Sequence, residues 1–283
     1  MKCIEIPLSP EIPSGEEIID ERGSFRVDMF ITRIVNPTAT VYFPVTPNGT
    51  SIVICPGGGY GGVCITKEGH DIARTLANWG VTPLVLKYRL PGGVYQEPPV
   101  PLIDAWHALR LAAQRAAEWK LDTAKIGIMG FSAGGHLAMT AAMNPDKPRQ
   151  GDNPLDHFEA RAQFQILGYP VVTFREPLAH KGTRNALIGA DAQAALVDKY
   201  SGELQVTKDT VPTFMVHSED DGGVPIANSE QLLDALKRNG VPAELVRHPT
   251  GGHGYGMGYA AGNQAAPDWM PRLNAWMRTR GLL

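Results

Sequence analysis

Cysteine is scarce in this chain, with three in 283 residues at Cys3, Cys55 and Cys64. An odd, scattered set without metal-ligand spacing excludes a disulfide framework and a zinc site, so the thiols read as buried or spectator groups and no metal is expected. Excess charge of one sign is also missing, with 26 Lys and Arg against 29 Asp and Glu. Without a basic surplus there is no electrostatic footprint for nucleic acid or an anionic membrane surface. No apolar run reaches the length of a membrane span, and the opening Met1-Lys2-Cys3-Ile4-Glu5-Ile6-Pro7 lacks the apolar core of a signal peptide. The expectation is a soluble chain, cytoplasmic as it stands, or secreted or periplasmic if a leader has been removed. Internal repeats and low-complexity tracts are absent, which sets aside solenoids and linker-like segments.

What is present is apolar content of 43%, enough over this length for one large core and a single domain spanning 1–283. As far as Asn48, proline, glycine and acidic residues mix with β-rich pieces, Phe30 to Val35 and Ala39 to Phe43, expected as strands of an opening antiparallel meander. Beyond it, strand-sized apolar runs alternate with helical periods. The runs are Ile52 to Cys55, Leu84 to Leu86, Ile126 to Met129, Phe164 to Leu167, Phe214 to Val216 and Leu245-Val246. Between them Ile72, Leu76 and Trp79 share a helical face, as do Leu102, Trp106, Leu109 and Ala113, then Leu232, Leu233 and Leu236, then Trp269, Leu273 and Trp276. This alternation predicts an α/β fold, a mostly parallel central sheet with helices on both faces. The stretch 171–210 is longer than one crossover helix needs and predicts a small cap or lid insertion.

Gly130-Phe131-Ser132-Ala133-Gly134 matches G-x-S-x-G directly after the run Ile126 to Met129 and before the helix-prone His136 to Met143. A nucleophilic serine needs a strained turn there, and small neighbours let strand and helix backbones approach while the hydroxyl stands clear. The helix start aims free N–H groups at a developing oxyanion, which makes Ala133 the natural first donor.

A serine hydroxyl needs an imidazole to take its proton and an acid to hold that imidazole in the useful tautomer. In the chain order Ser, acid, His, only His248 and His253 follow the last plausible acid cluster. His253, in Gly251-Gly252-His253-Gly254-Tyr255-Gly256, falls on a loop after a strand, whereas His248 ends the strand and reads as structural. Beyond Thr213 to His217 stand Glu219, Asp220 and Asp221. Asp221 opens the turn Asp221-Gly222-Gly223-Val224-Pro225 and is the preferred acid, the other two reading as turn or surface groups. Acyl transfer also needs a second set of oxyanion donors, and the loop Pro56-Gly57-Gly58-Gly59-Tyr60 is free of side chains that would block an approaching substrate. A phosphate loop competes for those glycines, but the patterns G-x-x-x-x-G-K-[ST] and G-x-G-x-x-G are missing here.

From Ser51 onward these motifs resemble the hormone-sensitive-lipase-like and acetyl-esterase branch of the α/β-hydrolases, including bacterial acetyl xylan esterases. The resemblance rests on Cys55 to Tyr60, Lys87-Tyr88-Arg89-Leu90, Gly127 to Ala138, Asp221 to Pro225 and Gly252 to Gly256. It implies an α/β-hydrolase fold, Ser132 as nucleophile, Asp221 and His253 as acid and base, and Gly58 and Gly59 as oxyanion donors. Lipase-like members carry H-G-G-G, and Pro56 replaces that histidine, so a different anchoring of the loop is expected. Tyr60 and Tyr169 are candidates for the acyl or alcohol pocket, with core packing as the competing reading. Arg89 and His136 read as structural, through an ion pair and a hydrogen bond.

The reaction expected is hydrolysis of a short-chain ester, acetyl on a sugar or similar small alcohol, through an acyl-enzyme and without a cofactor. The expected partner is thus a small-molecule or carbohydrate ester. A peptidase or acylaminoacyl hydrolase is the neighbouring alternative, although such relatives carry a propeller domain for which this chain has no room. A non-catalytic ligand binder on the same scaffold is the rival from another class, and such proteins typically lose a triad position that is filled here.

Overall fold

The computed structural model describes residues 2–10, 15–22, 28–147, 153–258 and 268–283. In chain order the described elements are β1 (Lys2–Pro7), β2 (Ile18–Arg22), β3 (Asp28–Arg33), β4 (Thr38–Phe43), β5 (Ser51–Cys55), β6 (Val63–Cys64), α1 (Asp71–Asn78) and β7 (Thr82–Lys87). There follow α2 (Val100–Gln114), α3 (Ala116–Trp119), β8 (Ile126–Phe131), α4 (Ala133–Met143), β9 (Gln165–Gly168), α5 (Lys181–Ile188) and α6 (Ala194–Lys199). The last are β10 (Thr213–Ser218), α7 (Ala227–Arg238), β11 (Ala243–His248) and α8 (Met270–Thr279). No helix among the described residues is long and apolar enough to cross a membrane.

Eight strands form one sheet in the order β1-β4-β7-β5-β8-β9-β10-β11. β1 and β4 are antiparallel and β4 runs antiparallel to β7, after which every pairing is parallel. Strands β5, β8 and β10 are buried along their whole length, which explains their unbroken apolar runs: both faces are covered, so no alternation is required. Side-chain alternation along β8 sorts the cover. Gly130 faces α4, so closely that an added Cβ would lie 2.0 Å from the Gly134 carbonyl oxygen, while Phe131 points the other way onto Trp269 at the head of α8, ring centroids 6.1 Å apart. Helix α2 packs with α4, and the turn leading into α1 places Gly69 beside Val85, on the α8 face.

The opening strands differ from the meander expected of them. β3 pairs with β2 and β6 in a separate three-stranded sheet, and only β1 and β4 join the main one. The stretch 171–210 contains α5, α6 and a 3-10 turn, Gly202–Leu204, that touches both α4 and α7. Its first residues belong to the interior, because Val171, Val172 and Phe174 are fully buried.

Candidate active site

Ser132 stands between the end of β8 and the start of α4 at φ 53° and ψ −121°, a backbone conformation that L-residues rarely adopt. The surroundings hold it there. Its N–H donates to Gly168 O at 3.0 Å, and its carbonyl accepts from Val171 N and His136 N, each at 3.1 Å. The turn closes because Gly134 has no side chain: a Cβ there would lie 2.1 Å from Cys55 O and 2.4 Å from Pro56 O. The start of α4 therefore rests on the end of β5, and Ser132 lies beside the loop that leaves β5.

The three segments expected to converge do meet. His253, in the loop between β11 and α8, places Nε2 2.8 Å from Ser132 Oγ and Nδ1 2.7 Å from Asp221 Oδ2. Asp221 is buried just past β10. Its Oδ1 accepts the backbone N–H groups of Gly223 and Val224 at 2.9 and 2.8 Å. Its Oδ2 is shared by His253 and by His217, whose Nε2 is 3.1 Å away. Burial pushes the Asp221 carboxyl up, but the hydrogen bonds from His217 and His253 outweigh it and hold the group well below the usual aspartate range. Such a carboxylate keeps the Nδ1 proton on His253 and leaves Nε2 free to accept.

His217 escaped the sequence reading, which took it only as the end of a strand. Fully buried, it faces two acceptors through Nε2, Asp221 Oδ2 and Val224 O at 2.9 Å, so Nε2 carries the proton and Nδ1 accepts from Ser229 Oγ at 2.8 Å. Its only signal was position, four residues ahead of Asp221 with a tight turn between. Asp220 stays exposed and accepts Gly252 N at 2.8 Å, tethering the His253 loop, while exposed Glu219 donates its backbone N–H to His248 O at 2.8 Å. His248 ends β11, apart from the row.

The glycine loop passes directly beside Ser132, since a Cβ on Gly57 would come within 3.0 Å of Ser132 Cβ. Three hydrogen bonds anchor the loop that carries Pro56 at its head. Pro56 O accepts Tyr88 Oη at 2.7 Å, Gly57 N donates to Glu68 Oε2 at 2.8 Å, and Tyr60 Oη bonds His136 Nδ1 at 3.0 Å. With Gly57 engaged, the amides of Gly58, Gly59 and Ala133 meet no backbone acceptor among the described residues. Such free donors beside the Ser132 hydroxyl suit an anionic oxygen.

Both candidate pocket residues are buried. Tyr60 is 2% exposed and spends its hydroxyl on His136; Tyr169 is 0% exposed, its ring edge-on to His253 at 5.0 Å and its hydroxyl on Glu68 Oε1 at 2.7 Å. Tyr169 packs against His253 and Tyr60 against Tyr88 and His136, the core packing that competes with a pocket role. Arg89 forms an ion pair with buried Asp104 at 2.6 Å, and His136 Nε2 donates to Tyr200 O at 2.8 Å, the structural roles read for them. The thiols of Cys55 and Cys64 are raised by burial and stay protonated. From the 171–210 stretch His180 caps α5, its Nδ1 accepting Thr183 N at 3.1 Å. Burial, and then the positive form of His253, lower its basicity.

Comparison with known proteins places these features in context. The BD-FAE family pattern matches residues 41–236. An acetylxylan esterase of Xylanibacter ruminicola is 32% identical over 222 residues, 77% of this chain and 43% of that protein. Endo-1,4-beta-xylanase B of Butyrivibrio fibrisolvens is 31% identical over 249 residues, 87% of this chain and 38% of its own length. This chain thus spans less than half of either curated relative. Among solved structures, an acetyl ester-xyloside bifunctional hydrolase from Caldicellulosiruptor lactoaceticus superposes with a TM-score of 0.77 at 30% identity, covering 99% of this chain and 97% of that one. A Lactobacillus plantarum carboxylesterase, at 22% identity and a TM-score of 0.69 over 95% of this chain and 99% of its own, shares the fold.

Proposed function

This chain belongs to the BD-FAE family of α/β-hydrolases, and from that premise we propose that it is a serine esterase that removes short acyl groups, acetyl foremost, from a sugar or similar small alcohol. The observation that carries the reading is the unbroken row Ser132 Oγ, His253 Nε2, His253 Nδ1, Asp221 Oδ2, with contacts of 2.8 and 2.7 Å, lying against a side-chain-free loop. His253 Nε2 takes the Ser132 proton as Oγ attacks the ester carbonyl carbon. The carbonyl oxygen becomes an anion and draws the N–H groups of Gly58, Gly59 and Ala133. On collapse the C–O bond to the alcohol breaks, and imidazolium His253 returns the proton to the departing oxygen. Water, deprotonated by the same nitrogen, then attacks the acyl carbon, and His253 returns that proton to Ser132 Oγ as the C–Oγ bond breaks and the acid leaves. Asp221 orients the imidazole and balances its charge while it is protonated.

The relatives named for acetyl xylan and acetyl ester-xyloside substrates support the acetyl and sugar parts of this reading. The test is Ser132→Ala against p-nitrophenyl esters of increasing acyl length and acetylated xylo-oligosaccharides, scored as kcat/KM. The expected outcome is a preference for acetyl and a loss of about 10⁴-fold or more in kcat in the variant. Near-native turnover by Ser132→Ala would overturn the mechanism, and failure of a fluorophosphonate to label the folded wild type would point to a binder instead.

A further inference from the structure

Glu68 plays no part in the chemistry above, yet it lies against it. It sits 2% exposed on a π-helical turn, Thr66–His70, behind the glycine loop, and both carboxylate oxygens are engaged. Oε2 accepts Gly57 N at 2.8 Å, one peptide ahead of the proposed donor Gly58. Oε1 accepts the Tyr169 hydroxyl at 2.7 Å, and that hydroxyl in turn accepts Gly256 N at 2.8 Å, three residues past His253. The Tyr169 ring is the wall against which the His253 imidazole rests edge-on. Resting on the esterase reading, we propose that Glu68 is a positioning residue for acyl transfer, a buried carboxylate that locks the oxyanion-donor loop and the loop of the base to one another through Gly57 and Tyr169.

The chemistry favours a carboxylate at this point. Two donors, Gly57 N–H and the Tyr169 hydroxyl, converge from segments more than a hundred residues apart in sequence, and each has a carboxylate oxygen of its own. A glutamine offers one acceptor, so either Gly57 N–H or the Tyr169 hydroxyl loses its partner or must reorient. When ionised, the Glu68 carboxylate would also favour the imidazolium formed on His253 during attack. The titratable groups facing Glu68 are Lys67 of its own turn, Cys64, Tyr88, Tyr169, Tyr255 and His253. Burial raises the carboxyl, against the opposing pull of Lys67, Tyr169 and the Gly57 amide.

The decisive experiment compares wild type, Glu68→Gln, Tyr169→Phe and the double variant on p-nitrophenyl acetate across pH, with thermal midpoints measured alongside. Glu68→Gln is expected to lower kcat roughly ten- to a hundredfold with KM within about twofold, because geometry at the reacting atoms is lost while the acyl pocket is not. Its acid limb in kcat/KM moves to lower pH, which a purely structural contact would not do. Tyr169→Phe lowers kcat in the same sense, and the double variant is no worse than the worse single, as expected of one shared network. A Glu68→Gln enzyme with native kcat and an unmoved acid limb overturns the proposal. Should that variant fail to fold, Tyr169→Phe decides alone, and native kcat in it overturns the proposal equally. A wild type inert to esters and to fluorophosphonate overturns the parent esterase reading, a result distinct from an active wild type indifferent to Glu68.

Discussion

Asp221 accepts four hydrogen bonds, two on each oxygen, all from N–H groups. Asparagine at this position must turn its NH₂ toward a pair of donors whichever way it flips. Asp221→Asn is therefore expected to lower kcat by about 10³- to 10⁴-fold and to lower the thermal midpoint as well. Asp220→Asn keeps the carbonyl that Gly252 N needs and should stay within about threefold of wild type. Kinetics of the two variants side by side check which acid serves the imidazole, and equal losses would undo the assignment. Ser132, Asp221 and His253 were legible because each sits in a local pattern with a stated reason: a small-residue elbow, a turn-opening acid, a glycine-flanked imidazole. Glu68 and His217 carry no such pattern. A lone acid in Thr66-Lys67-Glu68-Gly69-His70 looks like a solvated turn until tertiary packing buries it.

At the scale of elements, the close approach of β5, β8 and α4 brings the glycine loop and Ser132 together. Gly134→Ala would drive a methyl into the Cys55 and Pro56 carbonyls at 2.1 and 2.4 Å, and backbone cannot yield as a flexible side chain does. The expected result is a stability loss of about 3 kcal/mol or more, read by denaturant unfolding, together with loss of esterase activity as elbow and loop are pushed apart. Gly222→Ala, in the acid turn with nothing within 4 Å of the new methyl, is the matched control and should unfold like wild type. The strands of the parallel sheet were legible as apolar runs, because burial on both faces leaves no other composition open to them. The opening strands were legible as strands but not as members of particular sheets. β3 and β4 have similar β-rich composition, and only their partners, β2 and β6 for one and β1 and β7 for the other, separate them.

Across the whole molecule, His136 ties three distant parts together: the glycine loop through Tyr60, the 171–210 stretch through Tyr200 and a stacked Phe174 at 4.3 Å, and helix α4 on which it rides. Burial lowers its pKa from the ordinary 6.5 to about 4. The neutral ring is thus the native form, and the unfolded chain takes up the proton first as pH falls. Stability from this group is full above about pH 6.5 and declines as pH falls toward about 4, by a total on the order of 3 kcal/mol. Calorimetry from pH 7 to pH 4 should record that decline, with a shallower slope in His136→Gln. Asp221, whose carboxyl is depressed, adds its own loss only below the ordinary aspartate range. An unfolding midpoint that stays level from pH 7 to 4 would contradict the buried neutral imidazole.

The order of segments, the strand and helix periods, the elbow around Ser132 and the glycine loop were all settled by the sequence, since each is a local pattern with a local physical cause. Tertiary structure alone decided what distance in sequence conceals. It gave Asp221 a second imidazole, turned Tyr60 and Tyr169 from pocket candidates into buried supports, and put Glu68 between two loops. The reason is that burial and hydrogen-bond partnership belong to pairs of segments, and no single stretch of chain contains them.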